Sequence, residues 1–406
     1  MIDVEQLRDC YISTPSKIVM LLIDGLGGLA HPDTGLSELE TASIPNLDSL
    51  CLQSACGLTT PVLPGVIPGS GPGHLALFGY DPLKYSVGRG VMEALGIEAV
   101  IESGDVAARG NFATIDADGL ISDRRAGRIP SDISAQLCEV LDQIELDDIH
   151  LNDVRLKVYP VHDHRFVLHL SGADLSDKVC RTDPQQNGAP PWDAVALAPE
   201  AEKTAQAIRS FVDKSKLALK EEPRANVVLL RGFSQLPSLP DMGEVYRLNP
   251  AGIAAYPMYR GLAKVAGMRV IPTGKTFADE IKTLEDHYSE HDFFFIHYKP
   301  ADTAGEDGNF AGKVKALEDL DTFIPKLLAL KPDVLMVAGD HSTPAIAAAH
   351  TWHPVPLLVH SVLTAGDGVS EFTERACALG SIGRVPATGV MMLALANAGK
   401  LQRFGP

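Results

Sequence analysis

Six apolar residues in succession, Ile18 to Ile23, fill the middle of KIVMLLIDGLGG (17–28) and stop at Asp24-Gly25. Several are β-branched and none gives the run a polar face, so the pattern predicts a strand buried on both sides. Such a strand needs cover above and below. Three more segments read the same way: HDFFFIHYKPAD (291–302), which runs into a loop holding Asp302, then PDVLMVAGDH (332–341) and PVPLLVHS (354–361). Between them lie two segments that read as helices, SIPNLDSLCLQSA (43–55), with Pro45 near its start, and the amphipathic GKVKALEDLDTFIPKLLAL (312–330). Strands alternating with helices predict an α/β fold, a mostly parallel sheet covered by helices on both faces.

The middle of the chain has a different texture. Short strand-like pieces (ARGNFATID, GLISDRR, RFVLHLSG, NVVLLRGF) are separated by Asp-Gly and Ser-Gly turns, with one clear helix near 198–213. Buried strands flank this region on both sides. The expectation is a smaller α/β domain, residues 96–254, inserted into a discontinuous sheet domain of 1–95 and 255–406. Thirty-five basic against 52 acidic residues give a net charge of −17, which argues against nucleic-acid and anionic-membrane partners. The six cysteines are scattered without a CxxC pair, the N-terminus is acidic, and the longest apolar runs are short, so a cytoplasmic location is expected.

Ligands of a parallel sheet bind beyond the carboxyl ends of its strands. Asp24, Asp302 with Glu306, and Asp340-His341 follow predicted strands, and His350 precedes the last one. Any one of these alone is a turn or a core histidine. Converging on one edge, they would repel each other unless cations lay between them, and the mixed Asp/Glu/His set suits two divalent ions. The set suits Mn²⁺ or Zn²⁺, or Mg²⁺ if the histidines contribute less. PGSGPGHLALFG (68–79) then offers Ser70 just ahead of a helix. It is no dinucleotide loop, since the sixth position from Gly69 is His74, and no Gly-Lys-Ser/Thr follows to make a triphosphate loop. Two metals beside a hydroxyl point to phosphoryl transfer, which in turn needs guanidinium partners. SDRRAGR (122–128) supplies Arg124 and Arg125, near Arg109 and Asn111, with His164-Arg165, Arg231 and Arg260 further on.

With these residues in view, the chain resembles the cofactor-independent phosphoglycerate mutases of the archaeal type, in the alkaline phosphatase superfamily. LLIDGLGG, PGSGPGHLALFGYDPLKYSVGRGVMEALG, DVAARGNFATID, GLISDRRAGRI, LSDKVCRTDP, HYKPADTAGEDGNFAGK, VAGDHSTPA and HTWHPVPLL carry the resemblance in that order. It implies an alkaline-phosphatase-like fold and interconversion of 3-phosphoglycerate and 2-phosphoglycerate through a phosphoserine. By position, Ser70 would be the nucleophile. Asp24, Ser70, Asp340 and His341 would hold one metal, and Asp302, Glu306 and His350 the other. Asp123, Arg124 and Arg125 would line the substrate pocket, with Arg260 where the family usually has a lysine contacting phosphate. Three positions depart from the family: Gly71 replaces an acid after the nucleophile, Glu306 a histidine, and His353 an aspartate before Pro-Val-Pro. The glutamate would shift metal preference from Zn²⁺ towards Mn²⁺ or Mg²⁺. The alternative is a related phosphatase or kinase-like phosphotransferase acting on another small phosphorylated metabolite.

Overall fold

In the computed structural model, residues 4–146 and 148–405 are described. Their strands in chain order are β1 (Ile18–Ile23), β2 (Ala55–Thr60), β3 (Val106–Ile115), β4 (Ile121–Asp123), β5 (Arg155–Pro160), β6 (Arg165–Ser171), β7 (Val227–Ser234), β8 (Pro250–Ile253), β9 (Arg269–Val270), β10 (Phe293–Tyr298), β11 (Val334–Ala338), β12 (Val355–Ser361) and β13 (Gly383–Pro386). They form two sheets. Residues up to Ser86 together with those from Ser238 onward make one compact unit, and Val87–Pro237 make the other.

The first unit holds an eight-stranded sheet in the order β13-β2-β12-β11-β1-β10-β8-β9. All six residues of β1 are buried, because parallel strands β10 and β11 flank it and helices cover both faces. Val19, Leu21 and Ile23 join one core with Leu47, Leu284, Leu317 and Leu320 from the helices Pro45–Cys51, Phe277–His287 and Phe310–Asp321. On the opposite face Phe295 of β10 meets Phe78, whose ring centroid lies 5.1 Å away. Only β12 breaks the parallel set, running antiparallel to both β11 and β2. Its start therefore lies at the edge where β1, β10 and β11 end.

The second unit is an antiparallel sheet in the order β4-β3-β6-β5, with β7 also paired to β3. Alternate residues of its strands part cleanly. Phe112, Phe166, Leu168, Val228 and Leu230 pack against the helices Ser131–Asp142 and Glu202–Ala218, through Leu137, Leu141, Ile208 and Phe211. Arg109, Asn111, Arg165 and Arg231 alternate with those core residues and belong to the other face.

Three features differ from the sequence expectation. The helix Arg89–Gly96 groups with the second unit because it packs on β3 and β7, whereas β8, at 250–253, pairs with β10 and belongs to the first. Asp302 sits on the short helix Pro300–Glu306 and not in a loop, since Pro300 at the first position suits a helix start. The segment 312–330 is two helices, Phe310–Asp321 and Ile324–Ala329, broken at Thr322-Phe323.

Candidate functional site

The carboxyl edge of the large sheet gathers the acidic and imidazole residues. Asp24 follows β1, Asp340 and His341 follow β11, and the reversal of β12 returns His350 to the same edge. Glycines permit the crowding. Gly25 adopts φ +65, and a Cβ there would lie within 2.7 Å of Asp302 Oδ1 and Thr343 Oγ1. Ser70 is the first residue of the helix Ser70–Leu77, and a Cβ on Gly73 would overlap the Asp340 carbonyl, so this glycine lets that helix lie directly on the Asp340 backbone. Gly71 is buried in the helix's first turn.

Two groups of ligand atoms result, Asp24–Asp340–His341 and Asp302–His341–His350, each with its atoms within 4.8 Å of one another. His341 is common to both. Its Nε2 lies 3.2 Å from Ser70 Oγ, 3.4 Å from Asp24 Oδ1 and 3.1 Å from Asp340 Oδ2. Asp24 and Asp340 are fully buried, yet Asp24 Oδ1 has no hydrogen-bond partner among the described residues, and Asp340 Oδ2 makes no well-aligned hydrogen bond although ring nitrogens of His341 and His74 lie 3.1 and 3.2 Å away. Leaving buried carboxylate oxygens unmatched costs several kcal/mol, on the order of what a cation placed between them offsets. The residues present thus fit divalent ions, and each of the two groups could hold one.

The surrounding electrostatics explain how acids survive there. Burial and Asp340 push the Asp24 carboxyl up, but His297 and Lys299 outweigh them and hold it below the usual range. Asp24 Oδ2 accepts from Tyr259 Oη, from His297 Nε2 at 3.2 Å and from Lys299 Nζ at 3.0 Å, which leaves Oδ1 turned to the centre. Lys299 also donates to Asp302 Oδ2, and Thr343 Oγ1 donates to Asp302 Oδ1 at 2.7 Å. Burial lowers His297 to about 4, so it is a neutral donor to Asp24. His350 is the opposite case. Burial pulls it down, but Glu306, the Pro68 carbonyl and Asp302 raise it to about 9.

Glu306 Oε1 lies 3.4 Å from His350 Nε2, yet Glu306 belongs to neither group of ligand atoms. His353 likewise stays outside, with its Nδ1 3.0 Å from Thr351 Oγ1 and its ring stacked on Trp352. Arg260, on the helix Pro257–Val265, donates to the Ala255 carbonyl at 2.9 Å.

In the second unit Asp123 caps a turn, accepting from the amides of Arg125 (2.8 Å) and Gly127 (2.6 Å). Arg124 makes a two-point contact with buried Asp183, at 3.0 and 2.6 Å, while Arg125 is exposed. The densest positive charge lies elsewhere. Arg109, Arg165 and Arg231 share one sheet face, and Arg89 lies near enough to depress both Arg109 and Arg231. Burial, with Arg89 and Arg165, brings Arg109 down to about 10 despite Glu93 at 3.2 Å. The Nε atoms of Arg109, Arg165 and Arg231 are buried without hydrogen-bond partners among the described residues, which suits an incoming anion.

His74, Arg89, Glu93, Asp183 and Thr343 lie in segments that carry the resemblance, but no role was read for them, and Tyr259 lies outside every such segment. His297 did leave a trace, as a polar residue inside an otherwise apolar strand.

A family model for "2,3-bisphosphoglycerate-independent phosphoglycerate mutase" matches residues 52–225. A protein of Thermosipho melanesiensis named "Probable 2,3-bisphosphoglycerate-independent phosphoglycerate mutase" is 49% identical over 407 residues, covering 100% of both chains. One of the same name from Thermus thermophilus is 48% identical over 98% of each. Among solved structures, a Pyrococcus horikoshii protein superposes with a TM-score of 0.82 at 26% identity, over 96% of this chain and 99% of that one. A cofactor-independent phosphoglycerate mutase from Thermoplasma acidophilum gives 0.72 at 29%, over 95% and 100%.

Proposed function

The chain belongs to the 2,3-bisphosphoglycerate-independent phosphoglycerate mutase family, and on that premise we propose that it interconverts 3-phosphoglycerate and 2-phosphoglycerate through a phosphoserine at Ser70. The observation that carries the reading is the placement of Ser70 Oγ, 3.2 Å from the histidine common to both groups of ligand atoms. Ser70 Oγ forms a bond to phosphorus as the bond from phosphorus to the 3-oxygen of the glycerate breaks, and that oxygen takes a proton. The reverse transfer delivers the phosphoryl group to the 2-oxygen, and the serine regains its proton. Ser70 is the first residue of its helix, whose positive end favours the negative charge of a phosphoserine there.

Asp24, Ser70, Asp340 and His341 would hold one divalent ion, and Asp302 and His350, with Glu306 beside them, the other. When bound, the ions lower the pKa of the serine hydroxyl and offset charge on the transferring group. Carboxylates and imidazoles together favour Mn²⁺, with Mg²⁺ or Zn²⁺ as the alternatives. Residues 87–237 act as the substrate-binding module. There Arg109, Arg165 and Arg231, with Arg124 oriented by Asp183, grip the carboxylate and phosphate of the glycerate. No described helix is long and apolar enough to cross a membrane, and a cytoplasmic location fits a glycolytic substrate.

The test is conversion of 3-phosphoglycerate with no added 2,3-bisphosphoglycerate and with Mn²⁺ present. Wild type should produce 2-phosphoglycerate, and Ser70→Ala should lose at least ~10³-fold in kcat, as removal of a nucleophile does. Release of inorganic phosphate in place of 2-phosphoglycerate, or full activity in Ser70→Ala, would reject the mechanism.

A further inference from the structure

The helix Phe310–Asp321 turns a lysine into the core. Lys313 is 0% exposed and shares its buried stripe with Ala316, Leu317 and Leu320. Its Nζ donates to the carbonyls of Gly25 at 2.8 Å, Gly27 at 2.9 Å and Thr343 at 2.9 Å. Three acceptors use all three hydrogens of an ammonium, and a neutral amine could supply only two.

Those carbonyls come from two separate loops. Gly25 and Gly27 belong to the turn that begins with Asp24, and Thr343 to the one that begins with Asp340 and His341. Thr343 Oγ1 in turn meets Asp302 Oδ1 and His341 Nδ1, at 2.7 and 2.9 Å. The amides of the same loops go to two acids. Glu374 accepts from Gly28 at 2.7 Å, and Glu38 accepts from Leu29 at 3.3 Å and Ala345 at 2.7 Å. One buried cation and two carboxylates therefore fix the backbone on which both groups of ligand atoms are mounted.

We infer that Lys313 is a positioning residue of the metal centre: its ammonium ties the loop after β1 to the loop after β11 and sets the spacing of Asp24, His341 and Asp302. This rests on the reading of those residues as metal ligands. Lysines are rarely buried without a reason beyond packing, because an apolar residue of similar length fills the space without desolvating a charge. The chain also contains its own control. Lys400 is equally buried, donating to the Thr14 carbonyl at 2.6 Å and lying 3.1 Å from Asp292, but at the amino end of β10, the far edge of the sheet.

The experiment is Mn²⁺ titration of the full chain, read by the electron paramagnetic resonance of free Mn²⁺ and paired with thermal unfolding. Lys313→Met should weaken Mn²⁺ binding ~10–100-fold, the range for residues that orient ligands. Lys400→Met should lower Tm and leave Mn²⁺ affinity at the wild-type value. If Lys313→Met only lowers Tm and binds Mn²⁺ as wild type does, the inference is overturned. If wild type itself binds no Mn²⁺, the failure lies with the metal-centre reading instead. Should Lys313→Met not fold, Lys313→Ala prepared in n-propylammonium, which replaces the missing atoms, provides the sample. Dialysing the amine away should then weaken Mn²⁺ binding, and an unchanged affinity would overturn the inference equally well.

Discussion

Asp24 shows how a single carboxylate is committed to one job. Three donors converge on its Oδ2, so the side chain cannot rotate without breaking all of them, and Oδ1 keeps its lone pairs for the centre. Tyr259 is the most replaceable of the three, because removing its hydroxyl leaves His297 and Lys299 in place. Tyr259→Phe should weaken Mn²⁺ binding ~10-fold and lower stability by about 1–2 kcal/mol, checked by calorimetric titration and urea unfolding. On the substrate side, Arg231→Met should raise KM for 3-phosphoglycerate by at least ~10-fold in steady-state assays, since a charge-assisted contact is worth about 1.5–3 kcal/mol. Asp24, Asp340 and His341 were legible because they follow unmistakable strands. Tyr259 and Asp183 were not, since their partners lie 235 and 59 positions away in the chain. Lys313 could have been found: a lysine at a core position of an amphipathic helix is a visible anomaly.

Elements carry their own titration. Glu280, on the helix Phe277–His287, is 3% exposed and accepts from the amides of Ala255 and His297, at 2.8 and 3.2 Å. It thereby pins that helix to the ends of β8 and β10. Burial raises its pKa from 4.5 to about 8, although the two amides pull the other way. Between those values the folded chain holds a proton that the unfolded chain has released. Glu280 therefore favours folding most at low pH, and that contribution declines as pH rises towards 8. Urea midpoints from pH 5 to 8.5 should show it, with Glu280→Gln flatter than wild type by ~2–4 kcal/mol over that span. The strands β1, β10 and β11 were legible because continuous apolar runs have one reading in an α/β chain. The direction of β12 was not, since an apolar run looks the same whichever way it points. The alternating strand β5, with only Val158 fully buried, and the helix Ser131–Asp142 left weaker patterns.

At the scale of the molecule, each unit has its own core, and the strand pairings of each close within it. Residues 87–237 expressed alone should therefore unfold in one cooperative transition by circular dichroism, and should bind no Mn²⁺ tightly, because both groups of ligand atoms belong to the other unit. The broad division of the chain was legible from the change in texture near residue 100, but its edges depended on contacts that sequence does not display. The place of β1 has a last consequence, for synthesis. Ile18 pairs with Phe293 on one side and Val334 on the other, so β1 is synthesised well before both strands that flank it. At about 5–20 residues per second, that delay is on the order of 15–60 s. Throughout it, IVMLLI lacks both neighbouring strands, while the unit Val87–Pro237, which lies between β1 and those strands in the chain, has time to fold. A chaperone that grips short apolar segments should bind this one, and release it only as β11 emerges.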